Sequence, residues 1–333
     1  MRFPCSMLLV ALALAGCATS PPPIPPSAVA AAGGTAIAPD TVLIPGNFPP
    51  DDEPDGNSVV LRGRDGLLVF DTGRHPEHTQ RIIDIAKSSG LPITAIVNSH
   101  WHLDHVSGNP LLRAAYPQVH VYASHAIEGA MRGFLADNRK QMVEMIAKHQ
   151  APAAQVALMQ QEIARIDLDS KLYPDRPIEA SGTRTLAGRK LEIGLTHNVV
   201  TAGDVWIYDS STKVLLSGDL VTLPAPLLDT ACAPHWSTQL AGLDAVPFVT
   251  LVPGHGAAMD HAQFKVYRSA FDHLLACAAG AGASATCIDG WLHDAGTLVP
   301  ANDGKLARGL LGYYIDQVLR APAAKRDRYC RSA

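Results

Sequence analysis

The strongest constraint on this chain is a run of six residues that carries three histidines and an aspartate, His100-Trp101-His102-Leu103-Asp104-His105. The run follows residues 93–98, an apolar segment typical of a buried strand. Imidazoles two residues apart on an extended segment point the same way, so His100 and His102 can share one metal ion. Asp104 and His105 follow on a predicted loop and can turn toward a second ion. Core packing does not explain the run, because each buried polar group needs compensation.

The six residues are similar to the H-x-H-x-D-H signature of the metallo-β-lactamase superfamily. Other segments resemble that family in the same order: the early turn Phe70-Asp71-Thr72-Gly73, the strand end Leu216-Ser217-Gly218-Asp219 and the histidine loop Pro253-Gly254-His255-Gly256. The similarity extends from about Ser58 to Ala258. It implies an α/β fold, a four-layer αββα sandwich. This agrees with two clusters of predicted strands, each followed by helices.

The resemblance also implies a metal centre. It has six ligands for two ions: His100 and His102 for the first, Asp104, His105 and His255 for the second, and Asp219 as the bridge. Imidazole beside a hard carboxylate suits zinc, and the same donors also accept iron or manganese. Asp71 either supports this centre or only hydrogen-bonds its own turn.

One segment departs from the family pattern. The family usually has a histidine directly before a Thr-x-Gly-Asp stretch, which is here residues 201–204, but Val200 occupies that place. His197 lies three residues earlier, at the end of a predicted strand, and a local bulge could carry it to the metal. Two alternatives stay open: His197 is the third ligand of the first ion, or that ion has one ligand fewer.

The resemblance implies a hydrolase in which zinc activates water to hydroxide near neutral pH. Asp104 is the implied catalytic residue, because it would bind the second ion and orient the nucleophile. In the family, true β-lactamases generally have cysteine or serine near the position of Asp219, whereas thioesterase, lactonase and phosphodiesterase relatives have aspartate. The expected small-molecule substrate therefore contains an ester, thioester, lactone or related bond.

Other functions stay open at this point. The chain could hydrolyse β-lactams, since it is predicted to be exported, or perform redox chemistry at iron. It could also be a metal-binding lipoprotein without turnover, since Val200 replaces a ligand. The net charge of −4 and the lack of a basic stripe argue against nucleic acid as a partner. The oligomeric state is left open.

The first 17 residues are predicted to be a lipoprotein signal peptide. Arg2 precedes the apolar run Met7–Ala15, which is too short to span a bilayer, and Leu14-Ala15-Gly16-Cys17 resembles a lipobox. This resemblance implies acylation of Cys17 and a periplasmic protein anchored by lipid to the membrane, with Ala18 favouring the outer membrane. The alternative is an ordinary signal peptide cut near Ala18. Residues 18–40, rich in proline and alanine, are predicted to be a tether.

Residues 41–333 are predicted to form the hydrolase domain, with a helical insertion near residues 124–166 and a helical C-terminal extension. An apolar stripe in the insertion, which includes Met142 and Met159, favours plain packing over a lid. The body of the chain has four cysteines, which permit two disulfides in three different pairings: Cys232, Cys277, Cys287 and Cys330. Reduced, buried thiols are the alternative.

Overall fold

Two β-sheets lie face to face in the computed structural model, which describes residues 23–49 and 52–331. The predicted signal peptide, Cys17 and residues 18–22 of the predicted tether lie outside the described residues. Seven described strands form the first sheet and are hydrogen-bonded in chain order: β1 (Thr35–Ala38), β2 (Thr41–Ile44), β3 (Ser58–Arg62), β4 (Leu67–Phe70), β5 (Ile93–Val97), β6 (His120–Ala123) and β7 (Arg176–Pro177).

The second sheet contains five strands within the described part of the chain: β8 (Gly182–Leu186), β9 (Arg189–Thr196), β10 (Asp204–Asp209), β11 (Val214–Thr222) and β12 (Thr250–His255). Strands β8 to β11 are antiparallel neighbours, and β12 pairs in parallel with β11 at the sheet edge. In the first sheet, β1 to β4 are antiparallel and β4 to β7 are parallel. Parallel neighbours need crossover connections, which the helices supply.

The described helices comprise α1 (Pro26–Ala31), α2 (Pro76–Ser89), α3 (Leu103–Val106), α4 (Asn109–Ala115), α5 (Ala126–Arg132), α6 (Phe134–Ala147), α7 (Ala153–Ile166), α8 (Ala233–Leu243), α9 (His261–Ala279), α10 (Ser284–Ala295), α11 (Gly304–Tyr314) and α12 (Ala323–Arg326). Helix α2 illustrates the sequence logic. Proline stands at its first position, and Ile82, Ile85 and Ala86 form its buried face. Gly90 ends it in a left-handed conformation with φ of 67°.

Three apolar clusters separate four layers. One cluster joins side chains of both sheets, such as Leu61 of β3 and Ile207 of β10. A second lies between the first sheet and helices α1, α2 and α4. The third packs α8 to α11 on the outer face of the second sheet and includes Trp236 and Phe271. The order helix–sheet–sheet–helix confirms the predicted αββα sandwich.

The segment predicted as a tether is folded wherever the structure describes it. Residues 26–31 form α1, and β1 pairs with β2 in the first sheet. Ile24, Val29 and Ala32 are buried in the same cluster as α2. The prediction was wrong for residues 23–40, because a few apolar side chains among the prolines and alanines find a hydrophobic surface that composition alone does not reveal.

The insertion and the C-terminal extension both pack beside the same end of the sandwich. Helices α5 to α7 form the insertion, and Ile127, Leu135 and Ile166 contact the cluster that contains Trp101 and Leu103. The stripe with Met142 and Met159 is only partly buried. None of the described helices has the length and apolar character needed to cross a membrane.

Two disulfides fasten the C-terminal extension. Cys277 pairs with Cys287, which joins α9 to α10, and Cys232 pairs with Cys330 across 98 residues. This is one of the three pairings that the spacing left open. Closing a long loop limits the conformational freedom of the unfolded chain, so the Cys232–Cys330 bond stabilises the folded state. It also holds Cys330 beside the start of α8.

Candidate metal centre

The ends of strands from both sheets meet at one point, where six predicted ligands come together. His100 follows β5, His255 ends β12, and Asp219 lies within β11. The other three come from the segment after His100: His102 precedes α3, and Asp104 and His105 lie in it. This part was predicted as a loop, but it forms a short helix that turns both side chains to the same centre.

The distances between ligand atoms fit metal binding. His105 Nε2 lies 3.2 Å from Asp219 Oδ1, and His100 Nε2 lies 3.6 Å from Asp219 Oδ2. His255 Nε2 lies 3.0 Å from an oxygen of Asp104. Two groups, each with ligand atoms within 4.8 Å of one another, could hold an ion: His100, His105 and Asp219, and Asp104, His105 and His255.

Several of these ligand atoms are buried without a hydrogen-bond partner. They are Nε2 of His100, His105 and His255 and both carboxylate oxygens of Asp219. An unsatisfied buried polar group costs about 1–3 kcal/mol, so folded proteins seldom leave several together. Divalent cations at the two groups would together satisfy all five atoms. Imidazole nitrogen with carboxylate oxygen is a zinc donor set, so the residues present fit the metal that the sequence predicts.

In His105 and His100, the second ring nitrogen, Nδ1, has a hydrogen-bond partner on the side away from the centre. His105 Nδ1 lies 2.9 Å from Asp71 Oδ2, and His100 Nδ1 lies 2.9 Å from Ser99 Oγ. The Ser99 hydroxyl donates to Asp71, so its oxygen accepts from His100. Both rings therefore donate from Nδ1 and direct Nε2 to the centre. Such partners fix the tautomer and orientation of metal-binding histidines.

His102 is oriented the opposite way. Its Nε2 lies 3.0 Å from Thr230 Oγ1, and that hydroxyl donates to the Val200 carbonyl. The imidazole therefore donates from Nε2, which leaves Nδ1 as the lone-pair atom, 4.0 Å from Asp219 Oδ2. Sequence reasoning missed Ser99 and Thr230, because a single hydroxyl residue has no motif that marks it.

Asp71 does more than hydrogen-bond its own turn. It accepts from the Ser99 backbone at 2.7 Å as well as from the Ser99 and His105 side chains. Its backbone has φ of 58°, a left-handed conformation that is uncommon outside glycine. Such strain at a fully buried carboxylate is typical of functional sites. Of the two roles that the sequence left open, the geometry supports the one beside the centre.

Two glycines allow the ligands to approach the backbone closely. A Cβ on Gly56 would collide with the His105 ring, and a Cβ on Gly254 would collide with Asp219 Oδ1. Gly254 was part of the predicted histidine loop, whereas Gly56 lies outside every motif. Only glycine leaves the required space at these two positions.

The electrostatics of the centre favour a cation. Burial lowers the pKa of His100 well below its usual range, with His105 and His102 adding to the effect, so its imidazole is neutral. Burial also lowers the pKa of His105, but Asp219, Asp104 and Asp71 outweigh it and hold that pKa well above the ordinary value. Three carboxylates around one imidazole form a site with an excess of negative charge, which a divalent ion would compensate.

Asp104 is ionised in this environment. Burial works to raise its pKa, but His105, His255 and Arg74 together hold the pKa well below its usual range. Arg74 Nη2 lies 3.6 Å from Asp104 Oδ1. Arg74 directly follows the predicted turn at residues 70–73, although nothing in the sequence assigned it to the site.

His197 does not join the centre. Its side chain is exposed, and its Nδ1 lies 3.3 Å from the Ala202 carbonyl. No bulge carries it inward, because Asp204 accepts from the backbone of Val200 and Thr201 and holds that loop in a tight turn. The expectation that His197 replaces the missing histidine is therefore corrected. Val200 itself is fully buried and packs in the cluster of the second sheet.

A large cavity opens on the centre. Its volume is about 1050 Å³, and His102 and Asp104 reach its surface. The walls include residues 48–49 and 52–54, the insertion through α6 and α7, and the C-terminal extension through α11. The insertion thus contributes both packing and one wall of the cavity. Tyr314 of α11 also lines the cavity, and the sequence did not predict that the C-terminal extension forms a wall.

Comparisons with known proteins agree with this geometry at two levels. Among solved structures, a metallo-beta-lactamase from Pontibacter korlensis is 20% identical, with a TM-score of 0.53, and the match covers 72% of this chain and 98% of that one. The sec-alkyl sulfatase PisA1, solved as a double mutant, is also 20% identical, with a TM-score of 0.55 over 74% of this chain and 42% of that one. At such identity the likeness shows the fold.

Short stretches also match curated enzymes. The hydroxyacylglutathione hydrolase of Gloeobacter violaceus is 40% identical over 58 residues, which are 17% of this chain and 23% of that enzyme. The atrochrysone carboxyl ACP thioesterase of Pseudocercospora fijiensis is 35% identical over 66 residues, 19% of this chain and 20% of that enzyme. The chain thus spans about a fifth of the length of these relatives.

The family comparison covers far more of the molecule. The sequence profile of the metallo-beta-lactamase superfamily matches residues 51–279, which include both sheets from β3 onward and every ligand of the centre. Together with the αββα layers and the cluster of histidines and aspartates, this match settles the classification. The chain belongs to the metallo-beta-lactamase superfamily.

Proposed function

We propose that this protein is a zinc-dependent hydrolase with two ions that cleaves an ester, thioester or lactone bond. The observation that carries the proposal is the set of buried, unpartnered ligand atoms beside a cavity of about 1050 Å³. The names of the curated relatives, a hydroxyacylglutathione hydrolase and a thioesterase, support acyl-bond cleavage.

In this proposal the ligands would divide between the two ions as the sequence predicts, except that His197 takes no part. His100 and His102 would hold the first ion without a third histidine. Asp104, His105 and His255 would hold the second, and Asp219 would contact both. When bound, such ions lower the pKa of water and stabilise negative charge on a carbonyl oxygen.

The residues of the chain prepare the site for that chemistry. Asp71 and Ser99 keep a proton on Nδ1 of His105 and His100, so that the Nε2 lone pairs stay directed to the centre. Asp104 is held as a carboxylate and can accept a proton during the reaction. Trp101 and Phe134 line the cavity and exclude water from one side of the substrate.

Metal analysis combined with turnover tests this proposal. The purified protein should contain zinc at more than one ion per chain and hydrolyse simple esters or thioesters, and removal of the metal should abolish turnover. Protein with less than one ion per chain and no hydrolysis would instead support a metal-binding lipoprotein without turnover. Faster cleavage of a chromogenic cephalosporin than of any ester would assign β-lactams as substrate, and iron in place of zinc would favour redox chemistry.

We also propose that the protein is exported and anchored by lipid at Cys17, with the outer membrane as its location. Two disulfides support export, because such bonds persist in oxidising compartments. The Cys17→Ala variant should move from the membrane to the soluble periplasmic fraction. Continued membrane association of that variant would contradict the anchor.

A further inference from the structure

We propose that the cavity selects substrates with an uncharged or cationic group next to an apolar one, and that it discriminates against anionic substrates. This inference rests on the proposed hydrolase function and adds a substrate class to it. It depends on the charges that line the cavity, on how the arginine among them is already bound, and on the apolar surface between them.

Carboxylates outnumber cationic side chains along the walls of the cavity. We call four of them the wall carboxylates: Asp52, Glu53, Asp229 and Asp303. Within the described residues, no lysine or arginine forms an ion pair with Glu53, Asp229 or Asp303, and Asp52 has only His75 at 3.5 Å. An anionic substrate would meet an excess of negative charge on its way to the metal centre.

The lining includes two cations, and one of them is not available to a substrate. Arg74 donates to the Pro54 carbonyl at 2.9 Å and to Glu162 at 2.6 Å, and its remaining nitrogen faces Asp104 at 3.6 Å. Its side chain is 7% exposed. Every part of its guanidinium therefore has a partner within the chain. Lys305 at the start of α11 is the other cation, and it is exposed.

Asp229 is the wall carboxylate with the most defined position. The hydroxyl of Tyr314, which is buried, donates to Asp229 Oδ2 at 2.6 Å. Burial, followed by the charge of Asp229, raises the pKa of Tyr314 well above its usual value, so Tyr314 stays a donor. Asp229 adjoins Thr230, which holds His102, and its charge therefore lies close to the open side of the centre.

The space between the charges is apolar. Trp101, Phe134 and Leu135 line it on the side of the insertion, and Leu227 and Leu310 line it on the opposite side. Pockets of this kind bind the apolar part of a ligand through such side chains and orient it through a few polar groups. An acyl or alkyl chain fits this surface, and the wall carboxylates decide which head group can accompany it.

A matched series of substrates tests the inference on the zinc-loaded full-length protein. The series consists of 4-nitrophenyl esters with the same acyl chain, ending in a methyl, a carboxylate or a trimethylammonium group. At low salt we expect kcat/KM for the carboxylate ester to be about tenfold or more below that of the methyl ester, with the gap shrinking as salt screens the walls. The trimethylammonium ester should be at least as good as the methyl ester.

Two variants assign the effect to the cavity. Asp229→Asn keeps an acceptor for Tyr314, and Asp303→Asn changes little besides charge. Each variant should reduce the difference in kcat/KM between the methyl and carboxylate esters by about twofold to threefold. Glu192→Gln on β9 removes an exposed charge outside the cavity and should leave the gap unchanged. Equal or faster cleavage of the carboxylate ester would overturn the inference while leaving the hydrolase intact. Cleavage of no ester or thioester would overturn the proposed function, and this inference with it.

Discussion

The two sides of Asp219 are built differently. In the proposed division of the ligands, Asp104, His105 and His255 would offer three further ligands on one side, so an ion bound there would reach four protein ligands with Asp219. On the other side, His100 and His102 would offer two further ligands, and an ion there would reach three with Asp219. Val200, buried and apolar, stands where the family usually has a third histidine. We call these the three-ligand side and the two-ligand side.

The difference extends to the surroundings of the ligands. His105, on the three-ligand side, is fully buried and held by a carboxylate, Asp71. His102, on the two-ligand side, has 18% of its side chain exposed to the cavity and is held by the hydroxyl of Thr230. Closed zinc sites with four protein ligands are structural, whereas catalytic sites keep a position open. In the proposed centre, the three-ligand side would therefore retain its ion, and the two-ligand side would leave room for substrate.

The largest expected effect comes from a ligand that also contacts Arg74. Asp104→Ala removes a ligand of the three-ligand side and the carboxylate placed to accept a proton. We expect kcat/KM to fall by roughly 10²–10⁴-fold, the contribution typical of general acid–base groups, with the fold retained because Asp104 lines the cavity rather than the apolar core. Ester turnover and circular dichroism measure the two outcomes. Unchanged turnover would contradict the role of Asp104.

A direct comparison of the two sides uses one histidine from each. His255→Ala should release the tightly bound ion, whereas His102→Ala should leave that ion in place and weaken only the other. Cobalt titration followed by visible absorption counts the ions and ranks their affinities without any reference to turnover. His197→Ala is the matched control, since this exposed histidine should change neither ion. Equal losses in the His255 and His102 variants would show that the two sides are equivalent.

The next largest effect is expected from Asp71, which holds His105 on the three-ligand side. Asp71→Asn removes the charge that holds His105 and one of its acceptors. We expect metal affinity or activity to fall about 10–100-fold, as is usual for such partners of metal-binding histidines. Asp209→Asn is the control, because Asp209 is also buried and binds Arg189, but in a turn remote from the centre. It should lower thermal stability without changing cobalt affinity. A loss of affinity in both variants would reduce Asp71 to a structural role.

The sequence predicted which side chains of the three-ligand side come together, but it predicted few of their surroundings. Asp104, His105 and His255 stand in motifs because their spacing is part of the chemistry, and the family resemblance implied the four layers, with which the two clusters of predicted strands agree. Thr230 and Asp229 act through contacts across more than 80 residues, to His102 and Tyr314, and no local pattern encodes such contacts. The folding of residues 23–40 escaped prediction for the same reason, since it depends on a surface built elsewhere.

The smallest expected effect concerns the hydroxyl that orients His102. Thr230→Val keeps the shape of the side chain but leaves His102 Nε2 without its acceptor, so the ring can rotate and the tautomer is no longer fixed. We expect the ion of the two-ligand side to bind about tenfold more weakly, with the other ion unaffected and stability lowered by about 1 kcal/mol. Thr238→Val, which removes an exposed hydroxyl on α8, is the control. If cobalt titration showed both ions weakened alike, the hydroxyl would act on the whole centre, and the independence of the two sides would fail.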